Sequence, residues 1–554
     1  MTDALARAVV AADPLGDRAA TTAAGRAAGA GPQESDLRSP ATSSQVPALR
    51  TAAARAIADV IAASFAVAAD PSALADRDRL VAWALAEGAA ADPRVVIGAG
   101  TGLAPARAAL VGGFQAHLLD LDDTHELVRG HPSAVLVPAL LALARPEDGI
   151  EAMLAAYIVG LEVMARLGRA LGPAHYQAGW HPTGTAGAVA AAAAGAHLRG
   201  LDEQATSTAL SVAASRSGGV RAQFGTPGKP LHAGLAAQTG VESVAWAAAG
   251  LRTAEDAVLG PAGLLAAHGV PEAERAAVLA GFGAPDVPWA LEEPGIWFKR
   301  YPFCSAAMSA ADAADEIAAR LLGHLAGPAG AADLAGSRPV APEGSAASRA
   351  AAIAEVVVRM RPGADAALIH TAPRTGEEAR FSVEAILALI LLGLAPDLTH
   401  LSPRPLPGEV TDLVARVRRE HVPAPRSPEV AADADGSAQN CHSVCRNEPT
   451  DGIQSDNSVS APGRGTAPVG RRDFWAQVEV RLRGGRVLSA QVQRPLGSPE
   501  KPLPDSAVRD KLGEACGDPR RAAAILALLG LGDGEPSAPR TVGRLAELLE
   551  DPPG

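Results

Sequence analysis

The chain of 554 residues has few aromatic side chains, few cysteines and no excess of basic residues. Aromatic residues make up 3% of the chain while hydrophobic residues make up 48%, so the core must consist mainly of Ala, Leu and Val. Small aliphatic side chains favour closely packed helices over a β-sandwich. The length exceeds that of one ordinary domain, which predicts two domains with insertions.

The four cysteines are too few for a disulfide framework in a chain of this size. Cys441 and Cys445 flank His442, but their spacing departs from the c-type haem signature, and a zinc site would need two further ligands. We therefore expect free thiols in a reducing compartment.

Positive charge and long apolar runs are also scarce. The formal net charge of -12 argues against a general nucleic-acid-binding protein. The apolar run at 385–394 is too short to span a bilayer, and the first residues lack the apolar centre of a signal peptide. These features predict a cytoplasmic protein without nucleic-acid or membrane partners.

Apolar residues recur with helical spacing through the first half of the chain, and the pattern changes after about residue 290. There, 353–360 alternates like a strand, and 475–482 and 486–493 flank Gly484-Gly485 like the arms of a β-hairpin. We predict a mainly α protein with a large all-helical domain and a smaller α+β domain. The predicted division is a disordered tail at 1–45, a helical domain at 46–294, an α+β domain at 295–498 with disordered inserts at 326–350 and 423–470, and C-terminal helices at 499–554 that pack back on the helical domain.

Three polar islands interrupt the apolar segments. The densest is 120–126, which reads Asp-Leu-Asp-Asp-Thr-His-Glu and is followed by His131. The others are Gly-Trp-His-Pro-Thr at 179–183 and Gly-Lys-Pro-Leu-His-Ala-Gly at 228–234. Charged groups at the end of an apolar helical run are costly to bury without a function, so these islands are candidate parts of a buried anion site.

The first island also fits other kinds of site. Asp-x-Asp-x-Thr at 120–124 matches the signature of aspartyl-phosphate phosphohydrolases, but the preceding residues 106–119 have a helical period where that chemistry requires a buried strand. Metal ligation by the carboxylates and imidazoles is a second possibility. Its candidate ligands are Asp120, Asp122, His125 and His131.

Several of these residues also have a purely structural interpretation. Asp122 and Asp123 sit at a helix boundary, where helix capping is the interpretation we favour. Lys229 opens a helical segment, an unfavourable position for dipole stability but a good one for holding a carboxylate together with helix amides. Lys299 supplies a second cation near the domain junction, although adjacent Lys and Arg are common on surfaces. His181 fits a packed loop histidine equally well.

Taken in order, the islands resemble the MmgE/PrpD family, which includes 2-methylcitrate dehydratase and cis-aconitate decarboxylase. The resemblance runs from about residue 48 to about residue 545, omits the tail and inserts, and depends on five short pieces in the right order. Those pieces are 120–124 with His-Pro-Ser-Ala at 131–134, 179–183, Lys-Pro-Leu-His-Ala-Gly-Leu-Ala-Ala at 229–237, Lys-Arg-Tyr-Pro at 299–302, and a hairpin ending near Pro-Leu-Gly at 495–497.

The resemblance implies a large helical domain, a smaller α+β lid domain, and a homodimer. It also implies an active site between the two domains and no cofactor or metal. The implied activity is that of a lyase acting on a small di- or tricarboxylate. The site residues it implies are His131, Asp120 and Thr124 for catalysis and His181, Lys229 and Lys299 for substrate binding. His131 would donate or accept the proton, with Asp120 orienting it, and Lys299 would couple substrate binding to domain closure.

On the resemblance alone, the first expectation is a 2-methylcitrate dehydratase-like hydro-lyase. The alternatives are a cis-aconitate decarboxylase-like carboxy-lyase, an isomerase or epimerase, and a non-catalytic carboxylate-binding homologue. Two positions depart from the family pattern, since Met308 stands where a histidine is common and Ala385 where a tyrosine is common. These departures concern the lid side of the site, so they bear on the substrate more than on the fold.

Overall fold

The computed structural model describes residues 2–16, 46–88, 90–326, 343–423, 474–532 and 539–553. Within these residues helices dominate, and the strands form two short pairs and one four-stranded sheet. The predicted fold class, mainly α with a smaller α+β unit, is confirmed.

Among the described residues, nine longer helices form the first half of the molecule. Eight of them share one core of Ala, Leu, Val and Ile, while the helix at 71–86 packs in two smaller clusters. The nine helices are α1 Thr2–Ala11, α2 Val46–Phe65, α3 Pro71–Ala86, α4 Pro105–His117, α5 Ser133–Leu143, α6 Ile150–Gln177, α7 Pro182–Arg199, α8 Glu203–Ser215 and α9 Gly228–Ala248. The short helices α10 Leu264–Ala267 and α11 Glu272–Ala277 follow, and the two-residue strands β1 Arg94–Val95 and β2 Gly102–Leu103 form one antiparallel pair.

Helices α4, α7 and α9 lie at the centre and approach one another closely because small residues meet at their crossings. A Cβ on Gly113 of α4 would lie 2.8 Å from the Cα of Gly234 on α9. Similarly, a Cβ on Gly240 of α9 would lie 2.4 Å from the Cβ of Ala191 on α7. The scarcity of aromatic residues thus has a direct structural counterpart, since only small side chains permit these contacts.

The smaller unit is a four-stranded sheet covered by helices. Its elements are α12 Met308–Ala326, α13 Glu343–Ala352, β5 Ile353–Met360, α14 Gly376–Ala379, α15 Val383–Leu392, α16 Gly408–Val414, β6 Val417–His421, β7 Ala476–Leu482 and β8 Val487–Val492. The strand order is β6-β5-β7-β8, with β5 and β6 parallel and the other pairs antiparallel. The strand and hairpin were predicted, whereas β6 was not.

The two units meet at a short antiparallel pair, β3 Thr124–His125 with β4 Ile296–Trp297. The C-terminal helices α17 Asp505–Cys516, α18 Pro519–Leu529 and α19 Val542–Glu550 contribute to the core of the first unit. Lys511 of α17 reaches into that unit, where its Nζ lies 2.7 Å from Asp59 Oδ1 and 2.8 Å from the carbonyl oxygen of Leu121.

Parts of the regions predicted to be disordered are folded. Residues 2–11 form α1, whose Leu5, Ala6 and Val9 are fully buried, so an apolar face was missed in an Ala-rich segment. The insert predicted at 326–350 overlaps the end of α12 and most of α13. Residues 17–45, 327–342 and 424–473 lie outside the described residues, and so do His442 and its flanking cysteines.

One segment, Val46–Ala69, is long and apolar enough to cross a membrane by length and composition alone. Of its most apolar 18-residue stretch, 78% is buried inside the molecule. Its side chains pack in the main core, which accounts for the apolar composition.

Candidate active site

The candidate site begins where α4 ends. Its last residue is His117, and the chain then turns sharply at Asp120, which has a φ of 54°. A residue other than glycine in this left-handed region is uncommon and costs conformational energy, so the surroundings must hold it there. The turn points the Asp120 carboxylate into the space between α4 and α9.

Two ammonium groups bind the Asp120 carboxylate. Lys229, the second residue of α9, donates to Oδ1, and Lys299 Nζ lies 2.8 Å from Oδ2. All three side chains are buried. Burial opposes the charged form of Asp120, but the two lysines outweigh it and hold the carboxyl pKa well below its usual value. Asp120 is therefore ionised at neutral pH.

Asp122 orients two imidazole rings. Its Oδ1 lies 2.9 Å from His117 Nδ1, and its Oδ2 lies 3.1 Å from His131 Nδ1. The ring centroids of the two histidines are 4.1 Å apart. Burial raises the pKa of Asp122, but the two histidines more than offset it, and the pKa lies well below its usual value. The helix-capping interpretation of Asp122 is therefore wrong, because its carboxylate binds the His117 ring and lies against the His131 ring.

The imidazoles around this carboxylate are neutral in the free protein. Burial lowers the pKa of His117 to about 3, despite the nearby Asp122 carboxylate. Burial also lowers the pKa of His131, and Lys229 and Lys299 add to the effect. The Nδ1 of His131 faces the Asp122 carboxylate, and its Nε2 lies 3.6 Å from Asp120 Oδ1.

Asp123 faces the other way and forms a separate network. Its Oδ1 accepts from the backbone N–H of Ser133 at 3.3 Å, and its Oδ2 contacts the Ser133 hydroxyl, which lies 2.7 Å from the Tyr157 hydroxyl. Burial raises the pKa of Asp123 well above its usual value. Asp123 thus binds the first amide of α5, in line with the capping interpretation, and stays protonated.

The second island contributes from the N-terminus of α7. His181 precedes this helix, and its Nδ1 lies 3.0 Å from the Nδ1 of His232 on α9. The hydroxyl of Thr183 accepts from the backbone N–H of His131 at 3.1 Å, which ties the two islands together. The rings of His181 and His117 are 6.1 Å apart between centroids.

The structure brings five of the six predicted residues into this cluster. Asp120, His131, Lys229 and Lys299 meet directly, and His181 lies beside them through Thr183 and His117. Thr124 lies in β3, and none of the hydrogen bonds found among the described residues joins its hydroxyl to the cluster. Thr124 is buried where the two units meet, and its backbone pairs with Trp297.

Two histidines were missed by the sequence interpretation. His117 stands three residues before Asp120, at the end of the apolar run, where a polar residue on the last turn of a buried helix was an available signal. His232 lies three residues after Lys229, so both face the same side of α9. His117 stands outside the quoted islands, and His232 lies within the third island without a role assigned to it.

A cavity of about 310 Å³ opens onto the cluster. Its lining includes His117, Asp120, Lys229, Arg380 and Phe381. Arg380 is buried and pairs with Asp70 at 3.0 Å, so a third cation stands near the cavity. The Lys229 ammonium lies 4.9 Å from the ring centre of Phe381, which places aromatic surface next to the charge.

The family-pattern departures lie on the side of the smaller unit. Met308 lines a second cavity, of about 400 Å³, together with Lys299, Arg300 and Tyr301. Ala385 is fully buried in α15 and is not part of the lining of that cavity. Lys299 thus lines the second cavity, while its ammonium binds Asp120, which lines the first.

Neither of the other interpretations of the first island fits well. The element before Asp120 is a helix, so the phosphohydrolase arrangement is wrong. His125 donates to the Ala290 carbonyl oxygen at 3.0 Å and is not close to the other candidate metal ligands. The side chains that could share a metal are His117, Asp120, Asp122 and His131, whose ligand atoms lie within 4.8 Å of one another. Both oxygens of Asp120 already accept from ammonium groups, which repel a cation, so charge pairing accounts for the cluster.

Comparison with known proteins gives one family model and several relatives. The family model described as the MmgE/PrpD N-terminal domain matches residues 38–274, which include every residue of the cluster except Lys299. Cis-aconitate decarboxylase from Homo sapiens is 31% identical over 230 residues, 40% of this chain and 47% of the relative.

Two further relatives carry the same description. Cis-aconitate decarboxylase from Mus musculus is 31% identical over 233 residues, 40% of this chain and 45% of the relative. The protein of that name from Aspergillus terreus is 34% identical over 155 residues, 26% of this chain and 31% of the relative. The chain thus spans about half the length, or less, of the curated relatives it matches.

Proposed function

Because the chain belongs to the MmgE/PrpD family through residues 38–274, we propose that it is a lyase that decarboxylates a small tricarboxylate of the cis-aconitate class. The observation that carries the proposal is the pairing of two buried ammonium groups with Asp120 beside two imidazoles that share Asp122. A homodimer is proposed from the resemblance, and a cytoplasmic location from the sequence features described in the first subsection.

The charges of the cluster suit a polyanion. Lys229 and Lys299 are held by one carboxylate between them, and Arg380 lies at the cavity. A substrate carboxylate competes with Asp120 for the same ammonium groups, and a charge-assisted hydrogen bond of this kind is about twice as strong as a neutral one. Asp120 holds the two lysines at a fixed spacing while the site is empty, so little reorganisation is needed when the substrate binds.

Decarboxylation of an unsaturated tricarboxylate requires that the site stabilise one electron pair and supply one proton. The bond from the methylene carbon to its carboxylate breaks, carbon dioxide leaves, and the electron pair forms a new double bond to the central carbon. The former double-bond pair moves to the far carbon, where the adjacent carboxylate delocalises it until a proton adds. Lys229 and Lys299 stabilise that developing charge, which is the largest contribution such a site makes.

His131 supplies the proton in this proposal. Its Nδ1 faces Asp122, so its Nε2 is the nitrogen that holds the transferable proton. The ring is neutral in the free protein, and negative charge brought in by the substrate favours its protonated form. Asp120, 3.6 Å from the same Nε2, stabilises the imidazolium until the proton is transferred.

The relatives described above favour decarboxylation over the dehydration that was predicted first. Dehydration of 2-methylcitrate would use the same imidazoles, one to remove a proton and one to assist the loss of hydroxide. We place dehydration second because the relatives are named for decarboxylation.

The test is proton NMR of the purified full chain incubated with cis-aconitate, and separately with 2-methylcitrate and citrate, in the presence of EDTA. Itaconate signals from cis-aconitate support the proposal, and their loss in His131→Asn and Lys229→Met assigns them to this site. If new olefinic signals appear with 2-methylcitrate or citrate but no itaconate forms from cis-aconitate, the activity is dehydration and the decarboxylase proposal is wrong. A folded protein that changes none of the three would overturn both.

A further inference from the structure

The two imidazoles of His181 and His232 face each other through the same kind of nitrogen, with their Nδ1 atoms 3.0 Å apart. A hydrogen bond between two ring nitrogens requires one N–H donor and one lone pair. Two arrangements satisfy this requirement, because the shared proton resides either on His181 or on His232. They differ in what His181 presents at its other nitrogen.

If His181 carries the shared proton, its Nε2 is a bare lone pair, which repels a carboxylate. If His232 carries it, the neutral His181 ring has its own proton on Nε2 and donates a hydrogen bond there. Only the second arrangement makes His181 a carboxylate-binding group without an additional charge.

Several features keep both rings neutral. Burial and the Lys229 ammonium lower the pKa of His181 well below its usual value. Burial and Lys229 also lower the pKa of His232. His181 precedes the 18-residue helix α7, and the positive end of the helix dipole disfavours an imidazolium there.

The surrounding backbone fixes the geometry of the pair. The His181 backbone N–H donates to the Gly219 carbonyl oxygen at 3.0 Å, and a Cβ on Gly219 would lie 3.1 Å from the His232 ring. Gly219 has a φ of 121°, a conformation that other residues rarely adopt. Gly219 therefore packs against the His232 ring and binds the backbone of His181.

We propose that His232 is a positioning residue that donates its Nδ1–H to His181 and so holds His181 in the Nε2–H form, a neutral hydrogen-bond donor for a substrate carboxylate. The substrate class rests on the function proposed above, whereas the tautomer is a property of the free protein. Because His232 follows Lys229 by three residues, one face of α9 supplies both a cation and the group that sets a neutral donor.

The direct test is nitrogen-15 NMR of the histidine-labelled full chain at neutral pH, with the His181 signals identified by their absence in His181→Gln. The expected spectrum has a protonated Nε2 and an unprotonated Nδ1 on His181. The reverse assignment, or a protonated pair, would overturn the proposal. This measurement requires no turnover.

Two variants separate positioning from packing. In His232→Asn the side-chain amide nitrogen takes the place of Nδ1 and still donates, whereas His232→Leu fills the space without a donor. We expect the Leu variant to lose the single His181 tautomer and the Asn variant to keep it, with circular dichroism confirming that both are folded. Equal spectra in the two variants would contradict the proposal.

Kinetics with cis-aconitate provide the second measurement. His232→Leu should raise KM about 10- to 100-fold, the usual value of a hydrogen bond to a charged group, with a smaller change in kcat, and His232→Asn should restore most of it. If the wild-type protein does not turn over cis-aconitate, the proposed function fails while the NMR result still decides the tautomer. If it does, unchanged KM in the Leu variant overturns the role of His232.

Discussion

The Nζ of Lys299 lies 2.8 Å from Asp120 Oδ2 and 2.8 Å from the carbonyl oxygen of the same residue. One ammonium group thus binds both the side chain and the backbone of a residue whose φ of 54° is unfavourable. Lys299 therefore does two things, since it balances a buried charge and holds the sharp turn that aims this charge into the site.

Replacing Lys299 by Met should abolish both effects. We expect kcat/KM for cis-aconitate to fall at least about 100-fold and the free energy of unfolding to fall by about 3 kcal/mol, as for other broken buried charge pairs. Steady-state kinetics and urea unfolding measure the two. Lys501→Met is the matched control, because Lys501 is half-exposed and 3.8 Å from Asp312; equal losses in both variants would contradict the role given to Lys299.

The adjacent carboxyls Asp122 and Asp123 should respond in opposite ways to the same substitution. Asp122→Asn removes the charge between two imidazoles and should lower kcat at least about 100-fold. Asp123 is protonated, so Asp123→Asn keeps an acceptor for the Ser133 amide and a donor for its hydroxyl. We expect that variant to stay within about 1 kcal/mol of wild-type stability and to keep its activity. Steady-state kinetics and urea unfolding of the two variants test this difference. If both variants lose activity, or both keep it, the assigned charge states are wrong.

Binding of a tricarboxylate should take up protons. The pKa values of His117 and His131 are lowered in the free protein, and a bound polyanion raises them, so the complex holds more protons than the free partners. Affinity should therefore weaken as pH rises from 6 to 8. Calorimetry with propane-1,2,3-tricarboxylate, which is saturated and cannot follow the proposed reaction, measures the uptake in buffers of different ionisation enthalpy. The uptake should shrink in His131→Asn, and release of protons on binding would contradict this mechanism.

Lys511 should brace the active-site loop from a distance. Its ammonium connects Asp59 on α2 with the carbonyl oxygen of Leu121, next to Asp120. Lys511→Met should lower the free energy of unfolding by about 3 kcal/mol, and the double variant with Asp59→Asn should recover part of it, since the buried acid is then removed. Asp505→Asn is the control, because Asp505 pairs with Arg55 between the same two helices but is largely exposed. Thermal and urea unfolding are sufficient, and a loss no larger than that of the control would refute the bracing role.

The sequence was most informative where local pattern and environment agree. The strand at 353–360 and the hairpin near Gly484-Gly485 could be predicted because alternation and turn chemistry point the same way. Lys229 could be predicted at a helix start because Gly and Pro mark the boundary. The partners of Asp122 could not be predicted, because its contact with His117 depends on a turn that ordinary residues avoid. Likewise, His232 acquires its role only when α9 packs beside the start of α7, which no local pattern reveals.

The close crossing of α4 and α9 has a consequence for how this chain can vary. α4 ends at His117 and leads to Asp120, while α9 carries Lys229 and His232, so the span between acid and base groups is set by the crossing of Gly113 and Gly234. A methyl group at Gly234 would lie 2.2 Å from the Leu110 carbonyl oxygen, which would push the helices apart. The contact between Gly113 and Gly234 thus sets the distance between the catalytic groups. A substitution at either glycine would alter catalysis without changing any catalytic side chain.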